Sequence, residues 1–186
     1  VQMFSANGGA MGTYTGSGKQ KHNSLEIDLS GYAPEGFVFA NGETVTSGSM
    51  SLSVSAGEAL SGTYASQGET GSINLEYQAD LAEPASLASL AGTWQRKGSR
   101  AATAEVAAGG GFSFSRMDGC QGEGAFSVID SAWSIYQVEL TLGSCGTKNG
   151  AWSGLATLDK KQAEGDVLWF MVANQAGTFM EGWQRD

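Results

Sequence analysis

The sequence predicts an all-β protein: an antiparallel N-terminal sheet, one short linking helix, and a C-terminal meander barrel of about eight strands. Three observations carry this. Apolar residues recur with period two along most of the chain, the spacing of half-buried strands. Glycine supplies 28 of 186 residues, roughly twice the usual share of ~7%, and its mixture with serine and threonine suits tight turns between short strands. The second half also opens on Gly92-Thr93-Trp94-Gln95-Arg96 and closes on Gly182-Trp183-Gln184-Arg185. Such a repeat at both ends of a run of strands marks a β unit whose first and last strands are neighbours.

In the N-terminal half, Leu25, Ile27 and Leu29 alternate with Ser24, Glu26 and Asp28. Met50, Leu52 and Val54 alternate with serines, and Ile73, Leu75 and Tyr77 with Asn74, Glu76 and Gln78. Each reads as a strand with one buried face, and the half holds four to six strands. Asn41-Gly42 lies between Phe37-Val38-Phe39 and Thr44-Val45, as a type I′ hairpin turn would. The stretch Glu83-Pro84-Ala85-Ser86-Leu87-Ala88-Ser89-Leu90-Ala91-Gly92 breaks the alternation. Proline near its start and glycine past its end predict a helix of one to two turns. The chain therefore divides into residues 1–82 (an acidic β subdomain), 83–91 (the helix) and 92–186 (the barrel).

In the second half, Phe112/Phe114, Phe126/Val128 and Val138/Leu140/Leu142 predict further strands. Asp118-Gly119 and Asn149-Gly150 predict type I′ turns between them. Val167-Leu168-Trp169-Phe170-Met171-Val172 is apolar on both faces and predicts a strand covered on both sides or contributing to an interface. Gly-Thr-aromatic recurs at Gly12-Thr13-Tyr14, Gly62-Thr63-Tyr64 and Gly92-Thr93-Trp94, although Thr and aromatics are common in any strand.

Cys120 and Cys145 are the two cysteines. Neither has a second Cys or a His at metal-ligand spacing, which argues against zinc. One disulfide in an oxidising compartment is the expectation, against two reduced structural thiols in a cytosolic protein.

Net charge is −9 and uneven. Residues 1–85 carry two lysines against nine acids, and residues 86–186 carry eight basic against ten acidic residues. Such a chain repels nucleic acid and anionic membranes, so neither is an expected partner. No apolar run reaches the ~18–20 residues of a membrane span.

The second half also resembles a known pattern. Pro84 to Trp94, Asp118-Gly119-Cys120 followed by Gly122, Tyr136-Gln137-Val138-Glu139-Leu140-Thr141-Leu142, Cys145, and Gly154-Leu155-Ala156-Thr157-Leu158-Asp159 follow one another as in exported Gly/Ser-rich proteins and lipoproteins of Gram-negative proteobacteria. The resemblance covers roughly residues 80–175. It implies a periplasmic or outer-membrane/cell-surface location, a disulfide and a barrel-like fold, with a removed signal peptide and room for a lipid anchor upstream of Val1. It implies no activity. The segments Ala59 to Ser66 and Leu90 to Trp94 also resemble strands of avidin-like barrels, and Gly-x-Trp resembles the first lipocalin strand. No matching set of ligand-contacting residues accompanies either likeness.

Catalytic patterns are sparse, and the expectation is a protein that is not an enzyme and uses no cofactor or metal. His22 sits in Lys21-His22-Asn23-Ser24, an exposed loop without an adjacent nucleophile pattern. Gly16-Ser17-Gly18-Lys19 resembles the end of a phosphate loop. It lacks the earlier glycine, and Gln20 stands where Ser/Thr would hold magnesium, so it reads as a flexible turn. Glu26/Asp28 and Glu76/Asp80 could in principle serve a glycosidase. Alternating with core residues, they read instead as a strand's solvated face.

Five tryptophans, Trp94, Trp133, Trp152, Trp169 and Trp183, cluster in the second half. Large aromatics fill small β cores. Trp133 lies between strands with Asp130 beside it and Glu123 nearby, and these three residues form the expected binding surface. The function expected is non-catalytic binding of a protein or small ligand in the cell envelope. The alternatives are an inhibitor or immunity protein that covers a basic site through its acidic surface, and a hydrolase using paired carboxylates.

Overall fold

The computed structural model describes residues 2–4, 10–34, 36–66, 69–77, 83–97, 102–160 and 165–185, without the side chains of residues 2–4, 10 and 11. Within these lie fourteen strands: β1 (Gln2–Phe4), β2 (Ala10–Lys21), β3 (Ser24–Tyr32), β4 (Val45–Ser55), β5 (Ala59–Ser66), β6 (Glu69–Glu76), β7 (Gly92–Arg96), β8 (Ala102–Val106), β9 (Gly111–Arg116), β10 (Gln121–Val128), β11 (Ile135–Gly143), β12 (Gly150–Asp159), β13 (Val167–Asn174) and β14 (Gly177–Arg185). The fold is all-β, as expected. Strands β1 to β6 form one antiparallel sheet in sequence order, and β7 to β14 close into an eight-stranded barrel. Two compact units result: residues 1–79 with 175–178, and residues 80–174 with 179–186. No described helix is long and apolar enough to cross a membrane.

In the N-terminal sheet, cross-strand register sorts side chains by chemistry. One row runs Lys19–Glu26–Ser51–Thr63–Ser72 and the next Ser17–Asp28–Ser49–Ala65–Thr70. Of these ten side chains every one is exposed. On the other face Ile27, Met50, Tyr64 and Leu25, Leu52, Ile73 fall in register, with Met50 and Leu52 buried. Glu26 and Asp28 thus occupy the solvated face, and Glu26 Oε1 accepts a hydrogen bond from Ser51 Oγ at 2.7 Å. Glu76 is exposed on the same face, and Asp80 lies outside the described residues.

The barrel closes as the repeated Trp-Gln-Arg ends require: Trp183 pairs with Arg96, Gln184 with Gln95, and Arg185 with Trp94. Trp94, Tyr136, Leu140, Phe170 and Trp183 fill its interior, each 5% exposed or less. Burial of side chains this large contributes roughly 2–3 kcal/mol apiece. The linking stretch forms the expected short helix as a single 3₁₀ turn at Leu87–Leu90, N-capped by Ser86. It seals one barrel end. Trp94 Nε1 donates to Leu90 O at 2.8 Å, Tyr136 Oη lies 3.2 Å from Ser89 Oγ, and Arg185 donates to Ser89 O. The Arg185 guanidinium sits 4.7 Å from the Trp94 ring centroid.

Several local expectations fail, each for a physical reason. Phe37–Phe39 is a loop rather than a strand, with Phe37 67% and Val38 60% exposed. None of the three predicted turns is type I′, because that turn needs positive φ at both central residues. Among described non-glycine residues only His22 and Ser144 have positive φ, so Asn41, Asp118 and Asn149 do not. At Asp118-Gly119 the loop has three residues, with Gly119 N–H donating to Arg116 O and Arg116 N–H to Cys120 O. That is a type I turn closed by a left-handed glycine. Asn149-Gly150 instead ends a longer connection, in which Asn149 Oδ1 accepts from Cys145 N–H at 2.7 Å. Gly16-Ser17-Gly18-Lys19 is no flexible turn but the middle of β2, paired with residues 26–29 of β3.

Glycine is also not confined to turns. A Cβ on Gly122 would lie 2.2 Å from the Phe114 ring, one on Gly124 2.8 Å from the Phe112 ring, one on Gly71 2.6 Å from the Tyr64 ring, and one on Gly182 2.6 Å from the Trp169 ring. In-strand glycines thus let large neighbours lie flat across the sheet, the close approach that glycine inside a strand often marks. In β13, Leu168, Phe170 and Val172 join the barrel core. On its other face Trp169 lies across Gly182 with the Lys97 ammonium 5.7 Å from its ring, so that face is half-covered.

Candidate functional site on the barrel wall

The barrel's outer wall across β8–β11 carries short polar residues at alternate positions, because the intervening ones (Ala104, Phe112, Phe126, Leu140) turn inward. Register gathers them into two rows. One runs Thr103–Ser115–Gln121–Gly143 and the other Glu105–Ser113–Glu123–Thr141. Together they line a groove of about 560 Å³, with Phe114, Gly122 and Leu142 also at its surface. Gly122 and Gly124 underlie it: with no inward side chains there, β10 closes onto the rings of Phe114 and Phe112, and glycine commonly marks such bends in barrels.

One groove end is fixed covalently. Cys120, which precedes Gln121, is joined to Cys145, two residues after Gly143, as expected for the two cysteines. The β9–β10 turn and the β11–β12 connection are therefore tied together. Arg116 and Asp118 form an ion pair of 2.9 Å within that turn, and Asp118 Oδ1 accepts from Cys120 N–H at 3.1 Å.

Charge in the groove is one-sided. Glu105 and Glu123 are exposed, and no cation stands among the described lining residues. Ser113 lies between them, so the two backbones are two strand spacings apart, about 9.6 Å. Among the described residues no cluster of three or more His, Cys, Asp or Glu could hold a metal ion.

The three residues of the expected binding surface separate. Glu123 lies in the groove. Asp130 and Trp133 share the β10–β11 connection, at the other end of β10; the five residue steps from Glu123 to Val128 alone span about 17 Å. Asp130 shapes that connection, its Oδ1 accepting from Ala132 N–H at 2.9 Å and its carbonyl from Trp133 N–H at 3.2 Å. Trp133 is 38% exposed, whereas Trp94, Trp152 and Trp183 are core residues. His22 sits in the two-residue turn between paired Lys21 and Ser24, with φ of 54°.

Reading the sequence missed Glu105, Thr103, Ser113, Ser115, Gln121 and Thr141. The available signal was their alternation with core residues, which assigns each to the outer face. It does not say which strands' outer faces lie in register.

A further charged pair lies within the barrel wall's inner side: Arg96 and Glu181 at 3.3 Å, with the Glu181 side chain 10% exposed. Each lies two residues from Trp94 or Trp183 and so shares their inward face, with the Arg96 side chain still 36% exposed.

Comparison with protein-family models, with curated proteins and with solved structures finds no match to this chain.

Proposed function

We propose that the protein is a non-catalytic binding protein of the bacterial cell envelope, periplasmic or surface-located, and that the groove across β8–β11 is its binding face. The observation carrying this reading is a groove of about 560 Å³ walled by eight outward residues, seven of them hydroxyl, amide or carboxylate bearers, two of those being acids with no cation among the described lining residues. That volume lies in the range of small-molecule and peptide sites. The interior is filled by aromatic side chains, which favours the outer wall over the lumen as the place for a ligand. Neither a histidine nor a free thiol lines the groove, so its chemistry suits hydrogen bonding and charge pairing. The disulfide, which persists in oxidising compartments, supports export, as does the resemblance to exported proteobacterial proteins and lipoproteins.

The test is calorimetric titration with a panel of peptides and oligosaccharides, comparing the protein with Ser113→Trp, which plugs the groove between the two acids. At least one panel member should bind the parent protein and lose binding to the plugged variant. Binders indifferent to the plug would refute the groove as binding face.

A second reading, an inhibitor or immunity protein, is favoured by the N-terminal sheet, where Glu26, Asp28 and Glu76 share one exposed face. It expects a basic protein partner whose association weakens with salt and with charge removal at those three acids, leaving groove variants without effect.

A further inference from the structure

We infer that the groove's ligand is an extended peptide segment of a partner protein that presents two basic side chains three residues apart. This rests on the groove being the binding face and goes further by naming what fills it.

Charge and geometry select the ligand. Glu105 and Glu123 face solvent with no cation among the described lining residues, so an anionic ligand would meet repulsion from both. A metal ion needs several ligands at about 2.0–2.6 Å, and among the described residues no third His, Cys, Asp or Glu joins Glu105 and Glu123, so two separate organic cations suit the pair better than one shared ion. Sugar faces usually stack on exposed aromatics, and the one ring among the described lining residues, Phe114, lies across Gly122 and packs 5.5 Å from Trp183. Ammonium or guanidinium groups fit what remains, since they donate to carboxylates and to the hydroxyl oxygens of Ser113 and Thr141.

Spacing then selects the backbone. A polyproline II segment repeats its face every three residues, about 9.3 Å. That matches the two-strand separation of Glu105 and Glu123 along their row. A β-strand would repeat its face every ~6.7 Å and would place its second cation short of Glu123, between it and Ser113.

The probes are acetyl-Lys-Pro-Pro-Lys-amide, its isomer acetyl-Lys-Lys-Pro-Pro-amide, and spermidine, titrated calorimetrically into the full chain. The first should bind about five-fold or more tighter than the isomer, and Glu105→Gln with Glu123→Gln should weaken it about ten-fold. Binding should weaken several-fold between about 20 and 300 mM salt. Equal affinity for both peptides, spermidine binding as tightly as the spaced peptide, or indifference to the double substitution would each overturn the inference. So would absence of peptide binding while another panel member is excluded by Ser113→Trp; that outcome leaves the groove standing and rejects only its occupant. Both glutamates are exposed, so the double variant keeps the fold, checked by an unchanged Trp emission spectrum.

Discussion

Replacing Gly122 with alanine tests how the barrel achieves its curvature. Gly122 has no positive φ, so alanine meets no backbone strain. By propensity alone the change should stabilise a strand by about 0.5–1 kcal/mol. The packing says the reverse. The new methyl would stand 2.2 Å from Phe114 Cε1, 2.5 Å from Cζ and 2.9 Å from Cδ1, so the whole ring must move. Its room to retreat is limited, because the Trp183 ring lies 5.5 Å away and Trp183 is 2% exposed. Overpacking of this kind costs about 1–3 kcal/mol. A loss of about 2 kcal/mol lowers the melting temperature by roughly 8–16 °C in a unit of about 100 residues. All five tryptophans lie in this unit, so urea unfolding followed by Trp fluorescence reports on it selectively. The control is the double-mutant cycle with Phe114→Ala. With the ring gone, the alanine at 122 should cost less than about 0.5 kcal/mol, giving a coupling of more than 1 kcal/mol. A neutral or stabilising Gly122→Ala in the parent chain, or the same cost in both backgrounds, would refute the idea that this glycine exists to let the ring cross the strand.

Three further outcomes are expected. Removing the disulfide by Cys120→Ser with Cys145→Ser, across a separation of 25 residues, should cost about 3 kcal/mol in the chain-entropy model; urea midpoints in the presence and absence of reductant check it, and a reductant-insensitive parent midpoint would contradict it. Arg185→Ala removes the guanidinium from the Trp94 ring and from Ser89 O and should cost about 2 kcal/mol, with a shift in Trp emission that Arg185→Lys only partly restores. Burial raises the Tyr14 hydroxyl above its usual 10.0, with Tyr64 and Glu69 adding to the rise and a Ser66 hydrogen bond opposing it. The folded chain then holds this proton where the unfolded chain has released it. The N-terminal unit should keep its full stability below about pH 10 and lose it as pH climbs through the native Tyr14 value. Tyr14→Phe should flatten that loss in tyrosine-monitored unfolding curves.

Much of the fold was legible because its signals are local. Alternation at Leu25–Leu29, Met50–Val54 and Val138–Leu142 states which face each strand buries. The matching ends at Trp94-Gln95-Arg96 and Trp183-Gln184-Arg185 announce that first and last barrel strands pair. What misled was also local: an Asn-Gly or Asp-Gly pair is compatible with several turns, and loop length, set by the flanking strands' register, chose type I with a left-handed Gly119. The candidate site was barely legible. Glu123 stands near Asp130 and Trp133 in sequence, yet a strand carries residues seven apart to opposite ends of a wall. Its groove companions Glu105 and Ser113 come from other strands.

The sequence by itself determined an all-β chain, the barrel's closing pair and the one cysteine pairing open to it, since each follows from residue type and spacing along one strand or from a count of two. Only the tertiary structure decided which outward faces stand side by side, and that in-strand glycines lie beneath aromatic rings. Both depend on cross-strand register, a sum of many weak pairings over the whole sheet that no short stretch encodes.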